Sequence, residues 1–169
     1  MTITRRQLLQ WTSVLGLASS VAMGVHVSKW WNTDSETPYV NLNLLEANVV
    51  NAVSGAAFPG GSTINLSGDE AGLDRFFDKL LSSMSNENRT LLKLLLEAID
   101  RATLPTHTTY FTTLSLEEQQ RCIQQWLHNP SHLIRGAIQS LIVLLGMGYT
   151  AHPIASEHLS QYFRCGFGG

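Results

Sequence analysis

Two histidines are the first residues of this sequence whose spacing suggests chemistry. His128 and His132 lie four positions apart, and on one face of a helix such a pair can bind a metal ion. Pro130 lies between them and breaks the helical register, so we do not expect the rings to converge. No H-E-x-x-H motif and no carboxylate at ligand spacing accompanies them. We therefore expect no metal site here, and interpret these histidines as solvent-facing or capping residues.

Cysteine chemistry rests on Cys122 and Cys165. They form neither a C-x-x-C redox motif nor a C-x-x-C-H haem attachment site. In an exported protein an even number of cysteines suggests a disulfide. Cys122 falls on a predicted amphipathic helix, a position equally suited to a buried free thiol. Cys165 lies in a glycine-rich tail, where a bond to a partner chain is as plausible as a bond to Cys122.

Motifs for nucleotide binding and hydrolysis are incomplete in this sequence. Gly146 and Gly148 lack the third glycine of the dinucleotide fingerprint and lie in an apolar helical stretch rather than after a strand. No serine occupies a G-x-S-x-G turn. Glu117 and Glu118 begin a predicted helix, where acids complement the helix dipole. We therefore expect neither catalytic residues nor a cofactor in this chain.

The stretch "TRRQLLQ" at residues 4–10 places Arg5 and Arg6 before an apolar segment, residues 8–25, and no acidic residue precedes Asp34. A basic start followed by a moderately apolar run predicts an export signal, and paired arginines indicate the route for proteins exported in a folded state. An amphipathic helix or a membrane span is the alternative. A span needs about 20 predominantly apolar residues, and this run contains several polar ones.

We accordingly divide the chain into three parts. Residues 1–28 are interpreted as a twin-arginine export signal, which predicts a periplasmic protein. The signal is either cleaved or retained as a tether, and a retained signal would associate the protein with the membrane. Residues 29–40 form a polar linker, and residues 41–169 form a single helical domain.

Charge content suggests a covered surface. Charged residues make up 14% of the chain, against about 25% in typical soluble domains. The net charge is −2, and the predicted signal contains Arg5 and Arg6 but no acid, so the domain itself is more acidic. This charge distribution argues against nucleic acid as a partner. A large face covered by a partner protein explains the low charge, and a large core is the alternative.

Helical periodicity dominates the domain and predicts an all-α fold of about five or six helices. Two S-x-x-E capping boxes, Ser67 with Glu70 and Ser115 with Glu118, mark predicted helix starts. Pro105 is expected to end the leucine-rich helix before it. Residues 141–149 are apolar on nearly every side, which is typical of a centrally buried helix.

Several short stretches together resemble one protein family, the gluconate 2-dehydrogenase subunit 3 family. The resemblance covers most of the chain after the linker. It is carried by the twin-arginine leader, "AAFPGG" (56–61), "FFDKLL", "LLKLLLEAID", "FTTLSLEEQ" (111–119), "MGYTAHP" (147–153) and the closing "GFGG". The tail departs from the Gly-Tyr-x-Gly pattern that the family often has.

The resemblance implies a non-catalytic small subunit that provides the export signal for, and stabilises, an FAD-containing large dehydrogenase subunit. A multihaem cytochrome c is a further expected partner. Membrane association would be indirect or through an uncleaved signal. Under this interpretation Cys165 bonds to the flavin subunit and Cys122 stays a thiol, with an internal bridge as the alternative. The candidate interface residues are Leu141, Leu144, Tyr149 and Phe167.

A second interpretation also fits the sequence. The chain would then be a free-standing exported helical domain that binds a small apolar ligand in a cavity lined by residues 141–149.

Overall fold

A computed structural model describes residues 38–61 and 64–162, with side chains described through Ser160. The all-α prediction is confirmed: these residues form six helices of ten or more residues, one single-turn helix and one 3-10 turn, and contain no strand. The α-helices are α1 (Leu44–Ala57), α2 (Leu73–Ser82), α3 (Asn86–Arg101), α4 (Leu104–His107), α5 (Leu116–Leu127), α6 (His132–Ala151) and α7 (Pro153–Tyr162), with the 3-10 turn at Phe111–Thr113 between α4 and α5.

Helix α1 lies at the centre of the domain. It contacts α2, α3, α5, α6 and the 3-10 turn. Val49, Val50 and Val53 are buried on its core-facing sides. Its first turn is closed by Asn43, whose side chain accepts the Glu46 N–H while the Glu46 carboxylate accepts the Asn43 N–H. This reciprocal pairing satisfies two amides that the helix itself leaves free.

The segment before α1, residues 38–43, is here called the N-terminal strap, and α2 fixes it through one carboxylate. Asp78 accepts the backbone N–H groups of Val40, Asn41 and Leu42 at 3.0, 2.7 and 2.8 Å. A carboxylate that accepts several amide hydrogens satisfies backbone groups that would otherwise be buried without partners. The strap therefore folds as part of the domain.

Two more contacts hold the strap. The Tyr39 hydroxyl donates to Asp74, and burial together with that carboxylate raises the pKa of Tyr39 to about 12, so the phenol keeps the proton it donates. Lys93 of α3 donates to the Asn41 carbonyl at 2.7 Å and pairs with the Glu46 carboxylate at 3.2 Å. Lys93 thus joins the strap to α1 and α3, and its ion pair with Glu46 is largely buried.

The first of the two predicted capping boxes does not start a helix. Ser67 donates its N–H and its hydroxyl to Glu70, as expected, but α2 begins later, at Leu73. Gly72 has a φ of +63°, a left-handed conformation that glycine adopts without strain, and it separates the Ser67 turn from the helix. The second box is confirmed, since Ser115 and Glu118 close the first turn of α5.

Helix α6 is packed on one side of the domain and not at its centre, so the prediction of a centrally buried helix is wrong in part. It contacts α2, α5, α7 and α1 through Ile138, Leu141, Leu145, Gly148 and Tyr149. Gly148 leaves the room that the Phe76 ring occupies, because a Cβ at this position would lie 2.4 Å from that ring. Among the residues that the structure describes, no helix buries the opposite side of α6.

Candidate partner-binding surface

The outer face of α6 is uncharged and mixes apolar side chains with the exposed Gln139 and Thr150. It is the first part of an exposed surface that we call the uncovered apolar surface. Residues 136–156, most of α6 and the start of α7, contain no Asp, Glu, Lys or Arg. Val143 is 63% exposed and Met147 59% exposed, and Ile154 of α7 is also exposed. A soluble helix normally places charged side chains on its exposed face. This face has none, which is typical of a surface that another chain covers.

Side chains on the inner face fix α6 to the domain. The Tyr149 hydroxyl donates to the Leu66 carbonyl at 2.8 Å, and its ring stacks on Phe58 with 4.8 Å between centroids. In the described part of the chain, α6 is the one helix with the length and composition to cross a membrane, and 28% of its most apolar window is buried. Its inner face is part of the domain core, so α6 is here a packed helix with one free side.

A groove between α3 and the beginning of α6 is the second part of the surface. Its volume is about 420 Å³. Helix α3 lines it with Leu95, Ala98 and Ile99, followed by Ala102. Helix α6 lines the other wall with Leu133, Ile134, Ala137 and Ile138. Both walls are therefore built from aliphatic side chains.

Trp126, at the end of α5, completes the groove together with Asn129. The indole is positioned by Phe111 of the 3-10 turn, with 5.4 Å between the rings, and Phe111 is itself fully buried. Asn129 is occupied locally, because its side-chain oxygen accepts the Ser131 N–H. The groove thus offers apolar contact and few free hydrogen-bonding groups.

The apolar wall of α3 continues beyond the groove. Leu91 is 63% exposed, and Leu94, Ala98 and Ala102 are exposed as well. From residue 91 to residue 102 this stripe runs for about 16 Å, at 1.5 Å per residue. Leu133, on the opposite wall, is 82% exposed. The exposed apolar area is thus longer than the groove itself.

Charged residues lie at the edge of the groove. Arg101 is paired with Glu97 at 2.8 Å. Arg135 donates to the carbonyl of Asn129 at 2.8 Å and lies against His132. Among the described residues no carboxylate forms a salt bridge with Arg135. One end of the groove therefore carries a guanidinium whose charge is not balanced by a described acid.

The predicted interface residues of α6 lie at different depths. Leu141 and Tyr149 are 1% and 8% exposed and pack within this chain, so the structure does not present them to a partner. Leu144 is half-buried. The exposed positions of this stretch are Val143 and Met147 instead, because the inner face of the helix is already used by the domain.

The predicted residues near the chain ends, Arg5, Arg6, Cys165 and Phe167, lie outside the described residues, so nothing here tests their roles. Cys122 is buried, with its sulfur 3.8 Å from Nε2 of His107. Burial, and secondarily the Glu118 carboxylate, raises the pKa of the Cys122 thiol, so it is protonated near neutral pH. The disulfide stays a prediction.

Metal-ligating side chains do not converge in the described part of the chain: no three His, Cys, Asp or Glu residues are placed to hold an ion. His128 binds the Gln124 carbonyl through Nδ1, and His132 lies beside Arg135. The two histidines singled out by their spacing thus have separate local partners.

The groove was not predicted from the sequence, although one signal points to it. "LLKLLL" at residues 91–96 places leucine on more sides of α3 than one buried face can use. Leu96 is buried, whereas Leu91 and Leu94 are exposed. An excess of leucine around a helix thus indicated a second apolar face.

Comparison with protein-family models gives one match. The model described as gluconate 2-dehydrogenase subunit 3 matches residues 45–169, which include all the helices after the first residue of α1. No curated protein and no solved structure shows a significant match to the chain.

Proposed function

Because the chain belongs to the gluconate 2-dehydrogenase subunit 3 family, and is thus a small subunit of a dehydrogenase complex, we propose that it is the non-catalytic subunit that exports and stabilises an FAD-containing large subunit. The chemistry of the complex, oxidation of a sugar or alcohol by the flavin, belongs to that partner. In this chain Gly146 and Gly148 lie inside α6, where they cannot form a phosphate-binding turn.

The observation that supports this role best is the uncovered apolar surface, made of the outer face of α6 and the groove beside α3. Val143, Met147 and Leu133 are all more than half exposed, and residues 136–156 carry no charge. Isolated in water, such a surface favours self-association. Covered by a larger subunit, it removes apolar area from water at about 25 cal/mol per Å² before the costs of association are subtracted.

The export part of the proposal rests on Arg5 and Arg6. A signal read by a route that transports folded proteins can serve a second chain if the two fold and assemble first. We place the complex in the periplasm on this basis, with a multihaem cytochrome c as the proposed third partner. Its link to the membrane would be indirect or through an uncleaved signal.

Co-expression with the flavin subunit tests the proposal. A tag on this chain should retrieve, from the periplasm, a second chain with a flavin absorption spectrum. Changing Arg5 and Arg6 to Lys should leave both chains in the cytoplasm, while a matched change of Lys29 to Arg should not alter export. Normal export of the flavin subunit with the double variant would contradict the shared signal.

The groove also favours one alternative, a free-standing domain that binds an apolar ligand, since about 420 Å³ suits a small molecule. Its location differs from the cavity expected from the sequence, because residues 133–138 and not residues 141–149 line it. Purification as a monomer with bound lipid and no partner chain would favour this alternative.

A further inference from the structure

The groove between α3 and α6 has a shape and chemistry that restrict what can fill it. We propose that it receives one amphipathic helix of the flavin subunit, with aliphatic or aromatic side chains on the buried face and a carboxylate at the end near Arg135. This inference rests on the proposed function and goes beyond it by naming the structural element and the side chains that bind.

Hydrogen bonding distinguishes a helix from an extended segment. Away from their ends the backbones of α3 and α6 are bonded within their own helices, so an extended segment would find partners only at the last turn of α3 and the first turn of α6. Asn129, the polar residue of the lining, already accepts the Ser131 N–H. An extended chain would bring unpaired N–H and C=O groups into this apolar groove, which is costly. A helix satisfies its backbone internally and presents side chains alone, so it can enter without that cost.

Length distinguishes a helix from a small ligand. A molecule that filled the 420 Å³ beside Trp126 would leave Leu91 exposed, at the far end of the α3 stripe. The stripe is about 16 Å long, which corresponds to about three turns of helix. Residues at i, i+4, i+7 and i+11 of a docked helix would cover the stripe from Ala102 through Ala98 to Leu91.

Charge sets the direction of the docked helix. Arg135 donates to the carbonyl of Asn129, a lining residue, and has no described carboxylate partner, while Glu87 is exposed in the first turn of α3, before Leu91. An acidic residue of the guest helix near Arg135, and a basic one near Glu87, would complement these two charges. Such pairs contribute more to orientation than to affinity.

Site-specific photo-crosslinking in the purified complex tests the assignment. A benzophenone amino acid at Ala98 or Ala102, both exposed in the groove wall, should label one segment of the flavin subunit, at residues three or four positions apart. The same group at Lys79, exposed on α2, is the control and should not label that segment. Labelling of a second copy of this chain, of lipid, or of an extended loop would overturn the proposal.

Affinity of the two subunits provides the second measurement. Leu91→Glu should weaken the complex at least about tenfold, because the apolar side of the docked helix would then cover a charge. Leu116→Glu, at a half-exposed leucine of α5 away from the groove, should leave affinity unchanged. A complex that forms with undiminished affinity despite Leu91→Glu contradicts the groove assignment alone. Failure of the unmodified chains to form any complex contradicts the proposed function itself.

Discussion

Helices α1 and α6 are the two most apolar of the domain, and each contains a single residue charged at neutral pH, Glu46 or Arg135. Their surroundings differ. Eight of the fourteen residues of α1 are buried, against five of the twenty of α6. Four other long helices contact each of them, but among the described residues these neighbours bury most sides of α1 and one side of α6. An apolar composition shows that a helix must bury most of its surface. The tertiary arrangement determines whether its own domain or another molecule buries that surface.

Substituting one valine in each helix should show the difference between their surroundings most clearly. Val50 of α1 is fully buried and Val143 of α6 is 63% exposed. Val50→Asp should lower the free energy of unfolding by about 3–5 kcal/mol or more, a large share of the about 5–15 kcal/mol typical of a small domain, because it buries an unpaired charge. Val143→Asp should change stability by less than about 0.5 kcal/mol. Thermal unfolding followed by circular dichroism measures both.

The same pair tests where the partner binds. Val143→Asp should fold but lose the flavin subunit in co-purification. If Val143→Asp destabilises the chain as much as Val50→Asp does, the outer face of α6 is part of the core and the contrast between the helices disappears.

Among the described residues, the N-terminal strap is one of the segments that enclose α1, and no comparable segment encloses α6. Asp78→Ala removes the acceptor of three backbone N–H groups, of which that of Leu42 is buried. The free energy of unfolding should fall by about 1–3 kcal/mol, because buried N–H donors are left without an acceptor. Hydrogen exchange at residues 40–42 should accelerate with it. Asp69→Ala, at an exposed acid, is the control, and an equal loss there would show that the strap bonds add nothing.

Two glycines of α6 probe its inner and outer faces. Gly148→Ala would bring a Cβ within 2.4 Å of the Phe76 ring and should cost about 1–3 kcal/mol by overpacking. A Cβ at Gly136 would have no described atom within 4 Å. Gly136→Ala should therefore stabilise the helix by up to about 1 kcal/mol, because alanine has the higher helix propensity. Urea unfolding of both variants measures the difference. Equal effects would mean that α6 has no inner face distinct from its outer one.

The smallest expected effect concerns the acid buried in α1. Burial raises the pKa of Glu46, against the opposing influence of Asn43 and Lys93, with Glu97 adding a smaller rise. The folded state then binds a proton more readily than the unfolded state, so the stability from this group increases as the pH falls through its folded pKa. Above that pKa the Glu46 carboxylate is charged, and its buried Oε1 has no hydrogen-bond partner in the described part of the chain, so the group lowers the stability of the folded state.

Denaturation at several pH values checks the sign. Relative to Glu46→Gln, the wild-type chain should become more stable between pH 7 and the ordinary carboxyl range. Glu157→Gln, at an exposed acid of α7, supplies the baseline. If the stability of the wild-type chain relative to Glu46→Gln decreases as the pH falls, the ion pair with Lys93 has a larger effect on the pKa of Glu46 than burial has.

Local patterns predicted much of this fold. The Ser115–Glu118 box gave the start of α5, because its hydrogen bonds depend on four consecutive residues. The identical motif at Ser67 failed to start a helix, since Gly72 adopts a left-handed conformation that a three-residue spacing does not encode. The Asn43–Glu46 box, with Asn in place of Ser, was overlooked although it obeys the same rule.

The binding surface was less accessible to sequence reasoning. Leu141 and Val143 differ by two positions and by little in hydropathy, yet one is buried and the other exposed, because α2 and α5 pack on one side of α6. The groove depends on how α3 and α6 are set beside Trp126, which lies on a third helix. Such a juxtaposition is a property of the assembled domain and of no single segment.

The strap also determines how the domain bears a mechanical load. A pulling force applied at Pro38 acts first on the hydrogen bonds from three successive backbone N–H groups to the Asp78 carboxylate. It also acts on the hydrogen bonds from the Asn41 side chain to Asp78 and Ser82, and on the bond from Lys93 to the Asn41 carbonyl. These bonds are clustered and end on two different helices, so they share the force instead of opening one after another. Tension along the chain is thereby distributed over α2 and α3 before it can unwind the first turn of α1.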